Sequence, residues 1–182
     1  MSNIKYKIAD SYVELIKGDI TIQETGAIVN AANKALSPGG GVSGAIHRAS
    51  GPGLWEECKT LGGCQTGEAK TSKGYNLPAK YVIHTVGPVY SGSPEDAKLL
   101  MNSYKNSLSE ASRNRIKSIS FPSISTGIFG YPIKEASKIA LSTIIGYLKS
   151  HPDIELVIMV LHSEDDYQTY LSTLKELLDL KR

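Results

Sequence analysis

The chain has 182 residues, with 20 Lys and Arg against 18 Asp and Glu and a formal net charge of +2 at pH 7. This length suits one domain, residues 1–182, whose core needs no metal or disulfide staple. The charges form no basic block for nucleic acid, and no apolar run approaches the roughly 20 residues that cross a bilayer. We therefore expect a cytoplasmic monomer with no membrane partner and no specific nucleic-acid partner.

The cysteine and histidine patterns argue against a metal site. Cys58 and Cys64 are separated by five residues, which matches no paired zinc-ligand spacing. The four histidines form no zinc motif either. We expect reduced thiols, as is typical of cytosolic proteins, and no metal.

Apolar runs rich in β-branched residues alternate with helical periodicity along the chain. The predicted strands are Tyr12–Lys17, Ala27–Asn30, a weaker one at Glu68–Ser72, Tyr81–Thr85, Ser118–Phe121 and Glu155–Leu161. The predicted helices are Ser43–Ser50, Ala97–Ala111, Ile133–Leu148 and Tyr167–Leu178. Ser163 with Asp166 resembles a capping box before the last helix. Strands separated by helices of this length predict an α/β fold with a largely parallel sheet covered on both faces.

Four unusual segments each follow a predicted strand. They are Gly18–Ile20, Asn30–Val42, Ser123–Gly130 and Leu161–Ser163. The carboxyl ends of parallel strands meet at one edge of a sheet, where the ligands of such sheets bind. The sequence therefore predicts a ligand site built from these segments.

Two of these segments are glycine loops. Gly39, Gly40 and Gly41 precede a predicted helix, so bare backbone amides and a helix N-terminus would face the same anion. The second loop, Phe121–Gly130, ends before a helix that opens with Pro132, a residue favoured at the first helical position. Gly127 and Gly130 of the second loop could simply allow a tight turn, but two glycine loops on one edge favour a diphosphate.

Other phosphate and nucleophile motifs fit less well. Gly39-x-Gly41-x-x-Gly44 matches the dinucleotide fingerprint, which keeps a nicotinamide oxidoreductase as a distant alternative. However, eight residues separate Asn30 from Gly39, whereas that fingerprint places its first glycine directly after the strand. There is no Walker lysine, no Gly-x-Ser-x-Gly elbow and no catalytic-thiol signature.

Two polar residues have both structural and functional interpretations. Asp19 at a strand end predicts either an Asx turn or helix cap, or a carboxylate that accepts from an exocyclic amine such as that of adenine. Histidines are more often structural than catalytic, but His47 is placed on the first turn of the phosphate-facing helix.

Taken together, these motifs closely resemble the macro domain family, and within it the MacroD-type branch. The resemblance runs from about Val13 to Leu178. It is carried by Gly18-Asp19-Ile20, Asn30-Ala31-Ala32-Asn33, Gly39-Gly40-Gly41-Val42, Gly44-Ala45-Ile46-His47-Arg48-Ala49, Gly63-Cys64-x-Thr66-Gly67-Glu68-Ala69, Leu77-Pro78-Ala79-Lys80, His84-Thr85-Val86-Gly87-Pro88 and Ser125-Thr126-Gly127-Ile128-Phe129-Gly130.

The resemblance implies a three-layer α/β/α domain with a mixed, largely parallel sheet of about six or seven strands. Its strand-end cleft would hold ADP-ribose, free or attached to a protein, without a cofactor. Members of the branch remove ADP-ribose from proteins and deacetylate O-acetyl-ADP-ribose. The implied ligand contacts are Asp19, Ile20 and His162 at adenine, Gly39, Gly40, Gly41 and Val42 on one side of the diphosphate, Ser125, Thr126, Gly127, Ile128 and Phe129 on the other, and Asn33 and Phe129 at the distal ribose.

Ser43 departs from this pattern. The MacroD-type branch has an aspartate there, proposed to activate or orient water, and a serine hydroxyl is no general base near neutral pH. We expect catalysis to use a substrate phosphate instead, with Asn33 positioning the ribose, His47 orienting water and Ser43 in the carboxylate's place. Two hypotheses follow from the sequence: a hydrolase of mono-ADP-ribosyl esters on acidic residues, active also on O-acetyl-ADP-ribose, or a non-catalytic module that binds ADP-ribose.

Overall fold

A computed structural model describes residues 4–179 of the chain, which form one mixed sheet of seven strands. The strands are β1 (Ile4–Ile8), β2 (Ser11–Lys17), β3 (Ala27–Ala31), β4 (Ala69–Lys73), β5 (Tyr81–Thr85), β6 (Ser118–Phe121) and β7 (Leu156–Leu161). The helices are α1 (Gly41–Ser50), α2 (Gly53–Cys58), α3 (Pro94–Arg113), α4 (Ile133–Ser150) and α5 (Glu164–Asp179).

The strand order is β1-β2-β7-β6-β3-β5-β4. The five central strands run parallel, and β1 and β4 pair antiparallel at the two edges. All six predicted strands are confirmed within one residue at each end. The sequence reading did not predict β1, which forms a hairpin with β2 in which Ile8 pairs with Ser11.

The sheet separates two apolar cores, which confirms the three-layer α/β/α architecture. Alternate residues of one strand point to opposite faces. On β3, Val29 belongs to the core under α3, α4 and α5, whereas Ile28 belongs to the core under α1 and α2. Both side chains are fully buried, so β3 is a central strand covered on both faces.

Three helix boundaries refine the sequence interpretation. Helix α1 begins at Gly41 instead of Ser43, which places His47 on its second turn, so the predicted first-turn position is wrong. Pro132 is the N-cap of α4 and not its first residue. The hydroxyl of Ser163 accepts from the amide of Asp166 at 3.1 Å, as the predicted cap requires.

No helix within residues 4–179 is long and apolar enough to cross a membrane. Cys58 and Cys64 are both buried and free.

Tyr104 ties α3 to the end of β6. Its ring is fully buried and packs against Phe121 with 5.1 Å between ring centroids. Its hydroxyl accepts from the amide of Ile124 at 3.0 Å and donates to the carbonyl of Pro122 at 3.3 Å. One side chain of the core therefore holds the start of the loop that follows β6.

We expect Tyr104→Phe to lower the free energy of unfolding by about 1–3 kcal/mol, because the buried amide of Ile124 loses its acceptor. Urea denaturation measures the change. Tyr81→Phe is the control, since no hydrogen bond of the Tyr81 hydroxyl is found within the described chain, and it should change stability by less than about 0.5 kcal/mol. Equal effects of the two substitutions would contradict this role of Tyr104.

Candidate functional site

The four predicted segments lie side by side at one edge of the sheet. Neighbouring strands β2, β7, β6 and β3 are parallel, and Lys17 pairs with Leu161 at the ends of the first two. Three steps between adjacent strands span about 14 Å at about 4.8 Å per step. The segments after these strands therefore form a continuous row, as the sequence predicted.

The first glycine loop ends in an uncapped helix. Gly40 is the N-cap of α1 and contributes no side-chain hydrogen bond, so the first-turn amides of the helix lack a capping acceptor. A Cβ at Gly40 or Gly41 would meet no atom within 4 Å, which shows that this loop is open on its outer side. An anion can approach these amides directly.

Gly44 allows the loop to fold back against α1. A Cβ at Gly44 would lie 2.4 Å from the carbonyl oxygen of Gly39, a contact that no side chain can make. The amide of Gly44 donates to the carbonyl of Gly40 at 3.2 Å and makes the first bond of the helix. Gly44, the third glycine of the pattern Gly39-x-Gly41-x-x-Gly44, is therefore required by the close approach of the chain in this turn.

Asn33 braces the segment between β3 and the glycines. Its Oδ1 accepts from the amide of Ser37 at 3.0 Å, and its Nδ2 donates to the carbonyl of Ser37 at 3.1 Å. An amide has two lone pairs and two N–H groups. The Ser37 hydroxyl also lies 3.3 Å from Oδ1 and 3.1 Å from Nδ2, so the half-buried side chain shapes the loop through Ser37.

The second loop is held in a strained shape around Ser125. Ser125 has a φ of 68°, a conformation that non-glycine residues rarely adopt. Its Oγ lies 2.2 Å from the position where a Cβ of Gly87 would be. Gly87 therefore leaves the space that Ser125 occupies, and a larger residue there would push the loop aside.

Hydrogen bonds anchor both ends of this loop and leave its tip free. The amide of Tyr131 donates to the carbonyl of Ser125 at 2.9 Å, and the amide of Tyr90 donates to the carbonyl of Phe129 at 2.8 Å. Ile128 at the tip is 99% exposed, and Gly127 has open space around it. An apolar side chain at the tip can cover a ligand in the cleft.

Asp19 caps a short 3-10 helix, Ile20–Ile22. Its Oδ1 accepts from the amide and the hydroxyl of Thr21 at 2.8 and 2.7 Å. These hydrogen bonds, the hydroxyl first, lower the pKa of the Asp19 carboxyl. The structural interpretation of Asp19 is confirmed, and because Thr21 takes only Oδ1, the other carboxylate oxygen stays free for a donor.

His162 follows β7 directly, and its side chain is exposed. The backbone amide of Gly18 donates to the carbonyl of Leu161 at 3.0 Å, which brings the segment before Asp19 against the residue before His162. Ile20, which directly follows Asp19 in the chain, is buried. The three residues predicted at adenine therefore stand at the same end of the row.

Buried polar atoms without partners are concentrated at this edge. Within the described residues they are Asn30 Oδ1, Ser43 Oγ, both ring nitrogens of His47, and Ser125 Oγ. Buried polar groups are nearly always hydrogen-bonded in folded proteins, and exceptions can mark functional sites. Ser43 and His47 are four residues apart on α1 and thus on one face of it. These atoms can form hydrogen bonds to a polar ligand that binds at this edge of the sheet.

Burial lowers the pKa of His47. The imidazole is therefore neutral near pH 7, with one nitrogen that donates and one that accepts. It can orient water or a hydroxyl but supplies no fixed positive charge.

Sequence reasoning assigned no role of their own to Asn30, Thr21 and Gly87, although Asn30 begins the predicted segment Asn30–Val42 and Gly87 lies in a motif of the resemblance. Asn30 carried a further signal, because it places a fully buried amide in the otherwise apolar strand Ala27–Ala31. Thr21 completes the turn predicted at Asp19, whereas the contact of Gly87 with Ser125 joins distant parts of the chain and is not visible in the sequence. No group of three His, Cys, Asp or Glu side chains placed to hold a metal ion is found between residues 4 and 179.

Comparisons with known proteins show which family the chain resembles. The chain matches the Macro domain family over residues 29–140. It is 52% identical over 163 residues to the macro domain-containing protein CT2219 of Chlorobaculum tepidum, covering 89% of this chain and 95% of that protein. It is 52% identical over 167 residues to the ADP-ribose glycohydrolase MACROD2 of Xenopus laevis, covering 90% of this chain and 40% of that protein. The solved structure of the Oceanobacillus iheyensis macrodomain with ADP superposes with a TM-score of 0.94 at 45% identity, covering 98% of this chain and 97% of that one.

We expect Gly44→Ala to lower the free energy of unfolding by about 1–3 kcal/mol, because its Cβ must displace the backbone of Gly39. Gly146→Ala is the matched control: this helical glycine is exposed and has nothing within 4 Å of its Cβ position. The control should stabilise the protein by about 0.5–1 kcal/mol through the higher helix propensity of Ala. Opposite signs in thermal or urea unfolding are the expected result, and stabilisation by both would refute the close contact at Gly44.

Proposed function

The chain belongs to the macro domain family, and we propose that it binds ADP-ribose and hydrolyses the ester that joins mono-ADP-ribose to acidic side chains of proteins. O-acetyl-ADP-ribose is a second proposed substrate of the same site. Support comes from the MACROD2 relative, named an ADP-ribose glycohydrolase, and from the ADP-containing O. iheyensis structure. This chain spans 40% of that MACROD2 protein, so the activity is proposed from its own site.

The observation that carries the proposal is the row of four segments at the strand ends, together with the buried polar atoms of Asn30, Ser43, His47 and Ser125 for which no partner is found within residues 4–179. The proposed order places adenine at Asp19, Ile20 and His162, and the diphosphate between the two glycine loops. The distal ribose then lies near Asn33 and Phe129, with Ser43 and His47 buried on one face of the neighbouring helix α1. Free backbone amides in both loops suit the diphosphate, which accepts hydrogen bonds but donates none.

The proposed chemistry is a substitution at the anomeric carbon of the distal ribose. The bond from this carbon to the ester oxygen breaks, its electron pair leaves with the protein carboxylate, and a water oxygen forms the new bond. The water proton passes to a phosphate oxygen of the substrate. The transition state resembles an oxocarbenium ion, as in glycoside hydrolysis, so a nearby phosphate charge stabilises it. The products are ADP-ribose and a free carboxyl group.

Ser43 sets the expected rate. Its Oγ is buried and unpartnered, so it can bond to water or ribose, but it cannot take a proton near pH 7. His47 remains to orient the water. We therefore propose slow turnover compared with relatives that carry the aspartate.

The same residue favours the second candidate function, a module that binds ADP-ribose without turning it over. Every proposed ligand contact is present in this chain, and the missing carboxylate removes the group that would activate water. Measurement of binding and of hydrolysis on one preparation decides between the two functions.

We expect purified protein to release ADP-ribose from a mono-ADP-ribosylated acidic protein faster than the rate without enzyme. Ser43→Asp should raise this rate by about tenfold or more, as a positioned base contributes. The new carboxylate would lie on the first turn of α1, where the helix dipole favours negative charge. Ser43→Asn is the matched control, similar in size without the charge, and should give no increase. ADP-ribose binding without hydrolysis would instead establish the binding module.

We expect Asp19→Ala to weaken ADP-ribose binding about tenfold, the loss of one hydrogen bond to a charged group, while binding of ribose 5-phosphate stays unchanged. Asp19→Asn tests the same contact with less disturbance, because its amide oxygen can still accept from Thr21 while its NH2 group faces the adenine amine. Asp10→Ala, an exposed carboxylate in the β1–β2 turn, controls for the change in net charge. Equal losses for both ligands in calorimetry would reject adenine recognition by Asp19.

A further inference from the structure

His84 is a buried histidine outside the proposed ligand contacts. It lies on β5 directly opposite Asn30 of β3, and both residues are fully buried. Their side chains face the core under α1 and α2, as do Ile28 and Val82 two residues before them. His84 therefore lies beside Asn30 on the neighbouring strand. Within the described residues, Asn30 Oδ1 is one of the buried atoms that have no hydrogen-bond partner.

A chain of hydrogen bonds links Asn30 to the backbone of the outer strand β4. Asn30 Nδ2 lies 3.1 Å from His84 Nδ1, and His84 Nε2 lies 2.8 Å from Ser72 Oγ. The Ser72 hydroxyl in turn donates to the carbonyl of Lys73 at 3.1 Å. Every link between the site edge and β4 thus has hydrogen-bond geometry.

The contact with Lys73 favours one direction for this chain. The Ser72 hydroxyl has a single hydrogen, and with this hydrogen donated to the Lys73 carbonyl its oxygen accepts from His84 Nε2–H. A neutral imidazole carries one hydrogen, so Nδ1 is then the acceptor for Asn30 Nδ2. Burial lowers the pKa of His84 to about 3, which keeps the ring neutral. The Asn30 amide is held with its oxygen away from the ring.

We propose that His84 is a positioning residue that fixes the amide of Asn30 so that its carbonyl oxygen accepts a hydrogen bond from an O–H group of the reacting system, a ribose hydroxyl or the attacking water. The opposite tautomer would turn the amide and present an NH2 donor instead. A phosphate or a carbonyl would suit that donor, whereas only an O–H or N–H group suits the oxygen.

The location of Asn30 supports this role. Helix α1 packs on β3, and His47 of α1 lies close enough to His84 to lower its pKa further. Ser43 and His47 lie on the same face of α1, and Ser43 has a hydroxyl where a carboxylate would be a strong acceptor. The buried oxygen of Asn30 is therefore available as the acceptor that orients an O–H group. The inference rests on the proposed function for the identity of that group, and on the structure alone for the orientation of the amide.

The orientation is tested first, by nitrogen-15 NMR of the imidazole in the unliganded protein between pH 6 and 8. The expected spectrum shows a neutral His84 with hydrogen on Nε2 throughout. A hydrogen on Nδ1, or a protonated ring, would overturn the proposal. This measurement needs no substrate, so it separates failure of the inference from failure of the proposed function.

The role in hydrolysis is tested by a double-mutant cycle of His84→Phe and Asn30→Ala. Each single variant should lower kcat/KM by about tenfold to a hundredfold, as losses of groups that orient a functional residue do. The double variant should be no slower than Asn30→Ala alone, because His84 acts through Asn30. His84→Asn, which can offer an amide acceptor in place of Nδ1, should recover part of the activity.

Cys58→Ala is the control for simple disturbance of the core. Its Sγ lies 3.7 Å from His84 Nε2, a weak contact on the side of the ring away from Asn30. It should leave kcat/KM within about twofold of the native protein, an ordinary effect for a residue outside the chain of bonds. A loss equal to that of His84→Phe, or additive losses in the double variant, would overturn the positioning role.

Discussion

The parallel pairing of β2, β7, β6 and β3 is the constraint on which the rest of the structure depends. Because these strands end at one edge, segments that are far apart in the chain become neighbours there. Asp19 follows the first of these strands and Asn33 the last, with His162 and Ser125 between them. The row thus offers different chemical groups along its length: a carboxylate and an imidazole at one end, a glycine loop in the middle and an amide at the other end. Such an order suits an extended ligand with an aromatic end, a charged middle and a sugar end.

Several features of the backbone and of buried polar groups at this edge are unfavourable for stability. Ser125 is held in a left-handed conformation, α1 begins without a side-chain cap, and several buried polar atoms have no partner. Each feature costs stability by itself, through strain or lost solvation. The two apolar cores and the Tyr104 bonds hold the loops in place against these costs. These contacts anchor the loops to the cores, whereas Ile128 at the tip of the second loop is exposed.

Most of the fold could be predicted from the sequence because buried parallel strands leave continuous β-branched runs. The strand Tyr81–Thr85 matches the structure at both ends. The edge strand β1 was not predicted although Tyr6 and Ile8 alternate with lysines, because it lies near the chain terminus and pairs on one side only. Motifs located the site loops, since glycines and an Asp at a strand end are visible in sequence. The support given by Gly87 and His84 depends on contacts between distant parts of the chain, and no spacing rule reports those.

Under the proposed function, Ser43 shifts the balance between ligand binding and hydrolysis. A carboxylate on the first turn of α1 would compete with the ligand diphosphate for the positive end of the helix dipole and would repel its charge. The hydroxyl of Ser43 leaves that end of α1 to the ligand. An interaction that holds substrate and transition state equally raises affinity without raising the rate. In the proposed site, the loss of the carboxylate therefore favours retention of ADP-ribose, while turnover depends on the weaker orienting groups, the neutral His47 and the amide of Asn30 held by His84.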